Sequence, residues 1–210
     1  MLEHFTNKHI VTLGLAPTRR NLSRKGFFDK ADAKKEKDVI EKMLREKNVK
    51  FVNLDFLNEE GIIHNGMDAG KAADYFIRSG VDAVFAPHCN FGTEDAVAGL
   101  AKRVGKPLLL WGPRDDSPDA EGNRLRDSQC GLFATSKVLQ QFGVPFSYIP
   151  SSRISDSVFE KGFSNFMGAA SVVKSLAHAR IGQIGTRPAS FWTVKFNEEE
   201  LLNRFGIEVV

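Results

Sequence analysis

Short apolar runs alternate with longer stretches of helical periodicity along most of this chain. Val81-Asp82-Ala83-Val84-Phe85-Ala86 is mostly apolar and β-prone, is too short for a helix of its own, and reads as a strand buried on both faces. His9–Leu15, Phe51–Asp55, Leu108–Gly112 and Val144–Ile149 read as strands too. Between them, Asp32–Glu46 carries Ala33, Val39, Ile40, Met43 and Leu44 at helical spacing, with Lys and Glu elsewhere. Asp68–Arg78 turns Ala72, Ala73, Tyr75 and Phe76 inward, and Gly80 closes it. Thr93 is placed to cap a helix running through Ala96, Val97, Leu100 and Ala101 to Val104. Gly131–Phe142 and Asp156–Ala177 are the last two of the series; the second has Val158, Phe159, Phe163, Phe166, Ala170 and Val173 on its inner side.

This β-α alternation, with short connectors, predicts an α/β fold: a doubly wound parallel sheet with right-handed crossovers, three-layered and Rossmann-like. Among such sheets a flavodoxin-like strand order is the expectation. The tail departs from the pattern. Ala179–Gly185 starts a new strand, Thr186-Arg187-Pro188 breaks it, Asn197 is placed to cap Glu198–Phe205, and Ile207–Val210 opens another strand. It reads as the first βα unit of a second α/β domain, giving domains of 1–178 and 179–210, with the second truncated and the whole a fragment. Apolar surface around Ile181–Ile184 and Ile207–Val210 is then expected to drive self-association.

Composition adds boundaries rather than a function. The chain has 210 residues and a formal net charge of +3, without a basic stripe interleaved with aromatics, so nucleic acid is not an expected partner. The Lys-rich run from Lys30 to Lys37 alternates with acids and reads as a solvated helix face. No apolar run reaches the ~20 residues that cross a bilayer, and no signal peptide is visible. Two cysteines, Cys89 and Cys130, lack metal-type spacing and read as reduced thiols of a cytoplasmic protein.

Candidate chemistry gathers where strands end. Pro87-His88-Cys89-Asn90-Phe91-Gly92-Thr93-Glu94 leaves the carboxyl end of a buried strand beside a helix start, the place where open α/β sheets bind ligands. Ala16-Pro17-Thr18-Arg19-Arg20-Asn21 leaves the first strand at the same edge. Its two arginines suit a carboxylate, a phosphate or sugar hydroxyls, and serve equally as solvated groups or partners of an acidic loop. His88 suits either a polar ligand contact or a structural hydrogen bond. Its neighbour Cys89 is no evidence of a Cys–His dyad. The polar stretch from Pro113 to Gln129 fits no element and can fold over the ligand edge. In it Asp115, Asp116 and Asp119 suit a hard cation or simply an exposed acidic loop. The scattered histidines show no ligand spacing, and the turn glycines make no dinucleotide fingerprint. The residues alone therefore give a ligand-edge domain and no complete active site.

Four stretches carry a family resemblance: Gly14-Leu15-Ala16-Pro17-Thr18-Arg19-Arg20, Pro87–Glu94, Leu110-Trp111-Gly112-Pro113-Arg114-Asp115 and Ile184-Gly185-Thr186-Arg187-Pro188. With these in view the chain resembles the amino-terminal part of the L-fucose isomerase / L-arabinose isomerase superfamily, most closely the L-fucose isomerase-like proteins. The resemblance implies an enzyme of carbohydrate metabolism that interconverts aldoses and ketoses through an enediol, with a divalent cation, usually manganese. It implies that the metal ligands and acid–base carboxylates lie in later domains, so no catalytic residue and no metal ligand is carried over. It also implies a homo-oligomer, with this domain at the mouth of a neighbouring subunit's site. On that reading Arg19, Arg20, His88, Asn90 and Arg187 are the candidate substrate-binding residues, and the fragment alone is inactive. The rival reading is a stand-alone sugar-binding or regulatory module.

Overall fold

The computed structural model describes residues 10–22, 27–118, 120–122 and 124–210. It divides into two compact units among these residues, Val11–Gly168 and Ala169–Val210 with Ile10. In the first, five parallel strands lie in the order β2-β1-β3-β4-β5: Thr12–Leu15 (β1), Lys50–Val52 (β2), Ala83–Pro87 (β3), Leu108–Trp111 (β4) and Ser147–Tyr148 (β5). The helices are Lys30–Glu46 (α1), Gly66–Arg78 (α2), Glu94–Val104 (α3), Ser128–Gln141 (α4) and Ser157–Leu176 (α5, which runs on into the second unit). A parallel α/β sheet flanked by helices is thus what the apolar runs predict. His9, the expected start of the first strand, lies outside the described residues. Two strands are shorter than expected, since the ladder ends at Val52 in β2 and spans only Ser147–Tyr148 in β5. Both lie at the sheet's edges, where one side of each strand has no partner strand among the described residues.

The two faces of the sheet are filled differently. Alternation sends Val84, Ala86, Leu108 and Leu110 to one side, where they join Ala72, Ala73 and Phe76 of α2, Ala96, Val97, Leu100 and Ala101 of α3, and Leu132 and Leu139 of α4. Small alanines let these helices approach the sheet and each other closely. The other side is aromatic. Phe85 meets Phe163 edge-on with centroids 5.8 Å apart, Trp111 meets Phe159 at 4.8 Å, and Phe159 stacks on Phe163 at 5.7 Å. Such pairs add ~0.5–1.5 kcal/mol each beyond the area they bury.

Three expectations about helix faces need correction. Val39 in α1 and Val158 and Val173 in α5 are exposed, although the apolar stripe suggested an inward position. Val39 and Val158 sit one residue, about 100° of helix turn, from the buried Ile40 and Phe159. The Lys30–Lys37 run is not wholly solvated either: Lys37 is buried, its ammonium paired with Asp55 and donating to the Glu60 carbonyl at 3.0 Å. Thr93 stands at the N-cap of α3, but its side chain makes no capping bond.

In the second unit, Arg180–Ile181 (β6) pairs in parallel with Glu208–Val209 (β7). Between them lie a 3-10 turn, Trp192–Val194, and the helix Glu198–Phe205 (α6), whose N-cap Asn197 accepts from the Glu200 amide as expected.

Candidate functional site

The loop after β1 is fixed by continuing the sheet beyond the strand. Thr18 bridges to Ile63 on one side and His88 on the other. The Thr18 amide donates to the Pro87 carbonyl at 2.9 Å, the Cys89 amide to the Thr18 carbonyl at 3.0 Å, and the Arg19 amide to the Ile63 carbonyl at 3.0 Å. Three loops, after β1, β2 and β3, are thereby locked side by side at the carboxyl edge. Side chains complete the lock. Thr93 donates its hydroxyl to the Arg19 carbonyl at 2.9 Å, while its amide donates to the Thr18 hydroxyl at 3.1 Å. The Thr93 hydroxyl is thus engaged with the loop after β1, and it makes no capping bond to α3.

The two arginines of this loop have opposite environments. Arg19 is buried, and its guanidinium forks onto Glu60, with Nε–Oε2 2.5 Å and Nη2–Oε1 3.3 Å. Lys30 approaches the same carboxylate at 2.9 Å. Burial alone would push the Glu60 carboxyl up, but the hydrogen bonds from Arg19 and Lys30 hold it below its ordinary range. Arg20 instead stays partly exposed. Its amide donates to Asn90 Oδ1 at 2.8 Å, its guanidinium pairs with Glu94 at 2.9 Å, and the guanidinium lies 4.6 Å over the Phe91 ring.

Behind them the loop after β3 is buried. His88 has no exposed surface, and each ring nitrogen has a protein partner: Nε2 lies 2.9 Å from the Thr135 hydroxyl and Nδ1 3.4 Å from the Ala86 carbonyl. A carbonyl can only accept, so the arrangement assigns the proton to Nδ1 and makes Nε2 the acceptor of the Thr135 hydroxyl. Burial, aided by the nearby Arg20 charge, brings the imidazole down to about 4 against the pull of Ala86, so it is neutral at pH 7. Cys89 is fully buried and its thiol is pushed far up by burial, which leaves no thiolate for nucleophilic work. Asn90 accepts through Oδ1 from the Arg20 and Gly92 amides, and its Nδ2 is buried with no partner among the described residues.

Two glycines make this packing possible. Gly92 has φ +78°, and a Cβ there would strike the His88 ring and Thr18. At Gly131, in α4, a Cβ would collide with the Phe91 carbonyl, so only glycine lets the loop after β3 lie on that helix.

The long segment after β4 does reach the same edge. The Ser128 hydroxyl donates to the Pro113 carbonyl at 2.5 Å, and Trp111 Nε1 donates to the Ser152 hydroxyl at 3.0 Å. Arg126 reaches across to α1 and pairs with Asp32 and Glu36. Asp116 pairs with Arg153, Asp115 is half-buried, and Asp119 lies outside the described residues. Among the described residues no three histidine, cysteine, aspartate or glutamate side chains gather to hold a metal ion.

Of the five candidate residues, the structure thus brings Arg19, Arg20, His88 and Asn90 together. Arg187 belongs to the other unit, where its guanidinium donates to the carbonyls of Pro188 and Ala189 at 3.3 and 3.0 Å. Sequence reasoning missed Glu60, Phe91 as an arginine platform, and Thr135. Glu60 is 41 residues from Arg19 and Thr135 is 47 from His88, so no local spacing announces either pair.

Comparison with known proteins places most of the chain in a family. The model of the fucose/sulfoquinovose isomerase N-terminal domain family matches residues 21–177. Two curated relatives, the sulfoquinovose isomerases of Priestia aryabhattai and Priestia megaterium (strain ATCC 12872 / QMB1551), are each 26% identical over 128 residues. That stretch is 60% of this chain and 28% of either relative, so the chain spans well under half the length of the curated relatives it matches. No helix among the described residues is long and apolar enough to cross a membrane. With the family model covering most of Val11–Gly168, the chain belongs to the fucose/sulfoquinovose isomerase N-terminal domain family.

Proposed function

We propose that this chain is the ligand-bordering amino-terminal part of an aldose–ketose isomerase of carbohydrate metabolism. The observation that carries the reading is the family match over residues 21–177. The Val11–Gly168 unit is read as flavodoxin-like, and the residues after it as the start of a second α/β domain. In the reaction, a carboxylate removes the proton from the carbon next to the sugar aldehyde while the aldehyde oxygen gains one, giving an enediol. The carbon proton then returns at the former aldehyde carbon as the neighbouring hydroxyl gives up its own and becomes the ketone. The proton-moving carboxylates are assigned to further domains of a longer protein, as are the ligands of a divalent cation such as manganese. Bound, that cation would polarise the sugar's carbonyl and hydroxyl oxygens.

The role of this chain's own residues is recognition. Arg20 is partly exposed and keeps donors beyond those used on Glu94. These donors suit sugar oxygens, and Asn90, whose buried Nδ2 has no partner among the described residues, lies directly beside them as a further candidate contact. Arg19 and His88, both buried and partnered, hold the loops that present them. Arg187 is a further sugar-binding candidate, and subunit assembly into a cytoplasmic homo-oligomer belongs to the same proposal.

The test uses the whole product of the native gene with manganese, offered L-fucose, L-arabinose and sulfoquinovose, with ketose formation followed. Ketose is expected from at least one. Arg20→Ala should raise KM by about tenfold, the size of a lost charge-assisted hydrogen bond. Absence of ketose from all three sugars overturns the reading.

A further inference from the structure

Arg126 anchors a chain of contacts that ends on Arg20. Its side chain is only 12% exposed, and it is held by two acids one turn apart on α1. Nε donates to Asp32 Oδ2 at 2.8 Å and Nη2 to Asp32 Oδ1 at 3.1 Å, while Nη2 also lies 3.0 Å from Glu36 Oε1. A forked pair of this kind fixes position as well as charge. The carbonyl of the adjacent Leu125 accepts from the Phe28 amide at 3.0 Å. Phe28 sits at φ 51°, a conformation a bulky residue adopts only when its surroundings impose it. Its ring meets Phe91 edge-on, with centroids 5.7 Å apart and planes at 69°. On the Phe91 ring lies the Arg20 guanidinium.

We propose that Arg126 is a positioning residue for Arg20, acting through Leu125, Phe28 and the Phe91 ring. The inference takes from the proposed function only the role of Arg20 as a ligand contact. What orients Arg20 is otherwise modest. Its ion pair with Glu94 is about one-quarter to one-third exposed, and pairs of that kind hold geometry weakly. The ring beneath it is the fixed reference. The Phe91 backbone is already clamped against Gly131, so the ring's freedom is in its side-chain rotation, which Phe28 limits. Without the Arg126 fork, Leu125 loses its anchor, Phe28 loses the contact that holds its unusual backbone, and Phe91 loses its edge partner.

The experiment measures how fast phenylglyoxal modifies each arginine of the 210-residue chain, by peptide mass spectrometry and without sugar. Arg126→Ala should make Arg20 react about two- to fivefold faster, the size of a lost cation–π contact at a partly exposed site. The exposed Arg78 and Arg204 should keep their rates. In a Phe91→Leu background, where the transmitting ring is gone, Arg126→Ala should add nothing further. A merely structural role would give the same acceleration in both backgrounds, and that result overturns the proposal, as does an unchanged Arg20 rate in Arg126→Ala. Should that variant fail to fold, Asp32→Asn removes the forked acceptor more gently. It is expected to accelerate Arg20 in the same direction, and an unchanged rate there overturns the proposal equally. Whether a sugar contacts Arg20 is read separately, from protection by L-fucose or sulfoquinovose in the whole protein, so the two readings fail independently.

Discussion

The carboxyl edge of the Val11–Gly168 sheet and the residues after Gly168 both carry candidate arginines, and they treat them in opposite ways. At the sheet edge, Arg19 is buried in a forked pair with Glu60, and its backbone is tied to two other loops. In the second unit Arg187 is exposed and, among the described residues, its guanidinium is bonded to carbonyls one and two residues along its own chain. The same contrast holds for apolar groups. The first unit seals Trp111, Phe85 and Phe159 completely, whereas Ile184, Trp192 and Phe196 stand open in the second. A cleft of about 1270 Å³ there is lined by Ile181, Ile184, Arg187, Val194 and others. An arginine's contribution therefore follows from its surroundings. Where water is excluded, a partner is obligatory, and removing it leaves a stranded charge. In water the same group is nearly free to move.

The strongest test of this contrast is Glu60→Ala. It leaves Arg19 buried without its acid and takes one partner from Lys30, so a loss of ~3–5 kcal/mol is expected. Urea unfolding of the chain measures it. A loss no larger than an exposed pair gives would mean that water reaches Arg19 and the sheet edge is as open as the tail.

The pH dependence of stability gives the next largest effect. His88 is held neutral at about 4 in the fold but titrates near 6.5 when unfolded. Between those values the unfolded chain binds the proton and the folded chain does not, so stability falls as pH drops from about 6.5 towards 4. The full shift corresponds to roughly 3 kcal/mol as an order of magnitude. His64, whose ring is also pushed down by burial, contributes in the same direction. Glu60 acts lower down: its carboxyl is depressed, so its contribution is present above its unfolded value and lost as pH falls through the folded one. The urea midpoint of His88→Gln should fall less steeply over the upper window. An unchanged slope would mean that the buried imidazole is not the group responsible.

How far these sites could be read from sequence follows from the range of each interaction. The strand cores were legible because a continuous apolar run is itself the physical cause of burial on both faces of a sheet. The edge location was legible for a similar reason, since strand–loop–helix order puts His88–Glu94 and Thr18–Arg20 at one end. Partners were not legible. Arg19 and Glu60 come from different loops, and Arg126 and Asp32 lie 94 residues apart, brought together only by the sheet order. Thr93 shows a local rule unmet beside a distant contact: it stands at the N-cap position without a capping bond, and its hydroxyl donates to the Arg19 carbonyl 74 residues away. Val173 marks the limit of periodicity, which identifies a helix's apolar face but not how far an opposing layer extends.

The smallest effects separate the two neighbouring arginines from Arg187. Arg20→Ala gives up a partly exposed ion pair and a cation–π contact, together about 1 kcal/mol of folding stability. Arg187→Ala should stay within ~0.5 kcal/mol, as surface substitutions do. Amide exchange sharpens the point without mutation. The amides of β3 and β4, whose residues are all buried, should exchange only on wide opening, and those of β6 and β7 far sooner. Equal protection in the two sets would show that the second unit is stabilised by more than its own two short strands. The exposure of Ile184 and Trp192 would then describe only part of that unit's surroundings, and the contrast between Arg19 and Arg187 would narrow to one buried carboxylate.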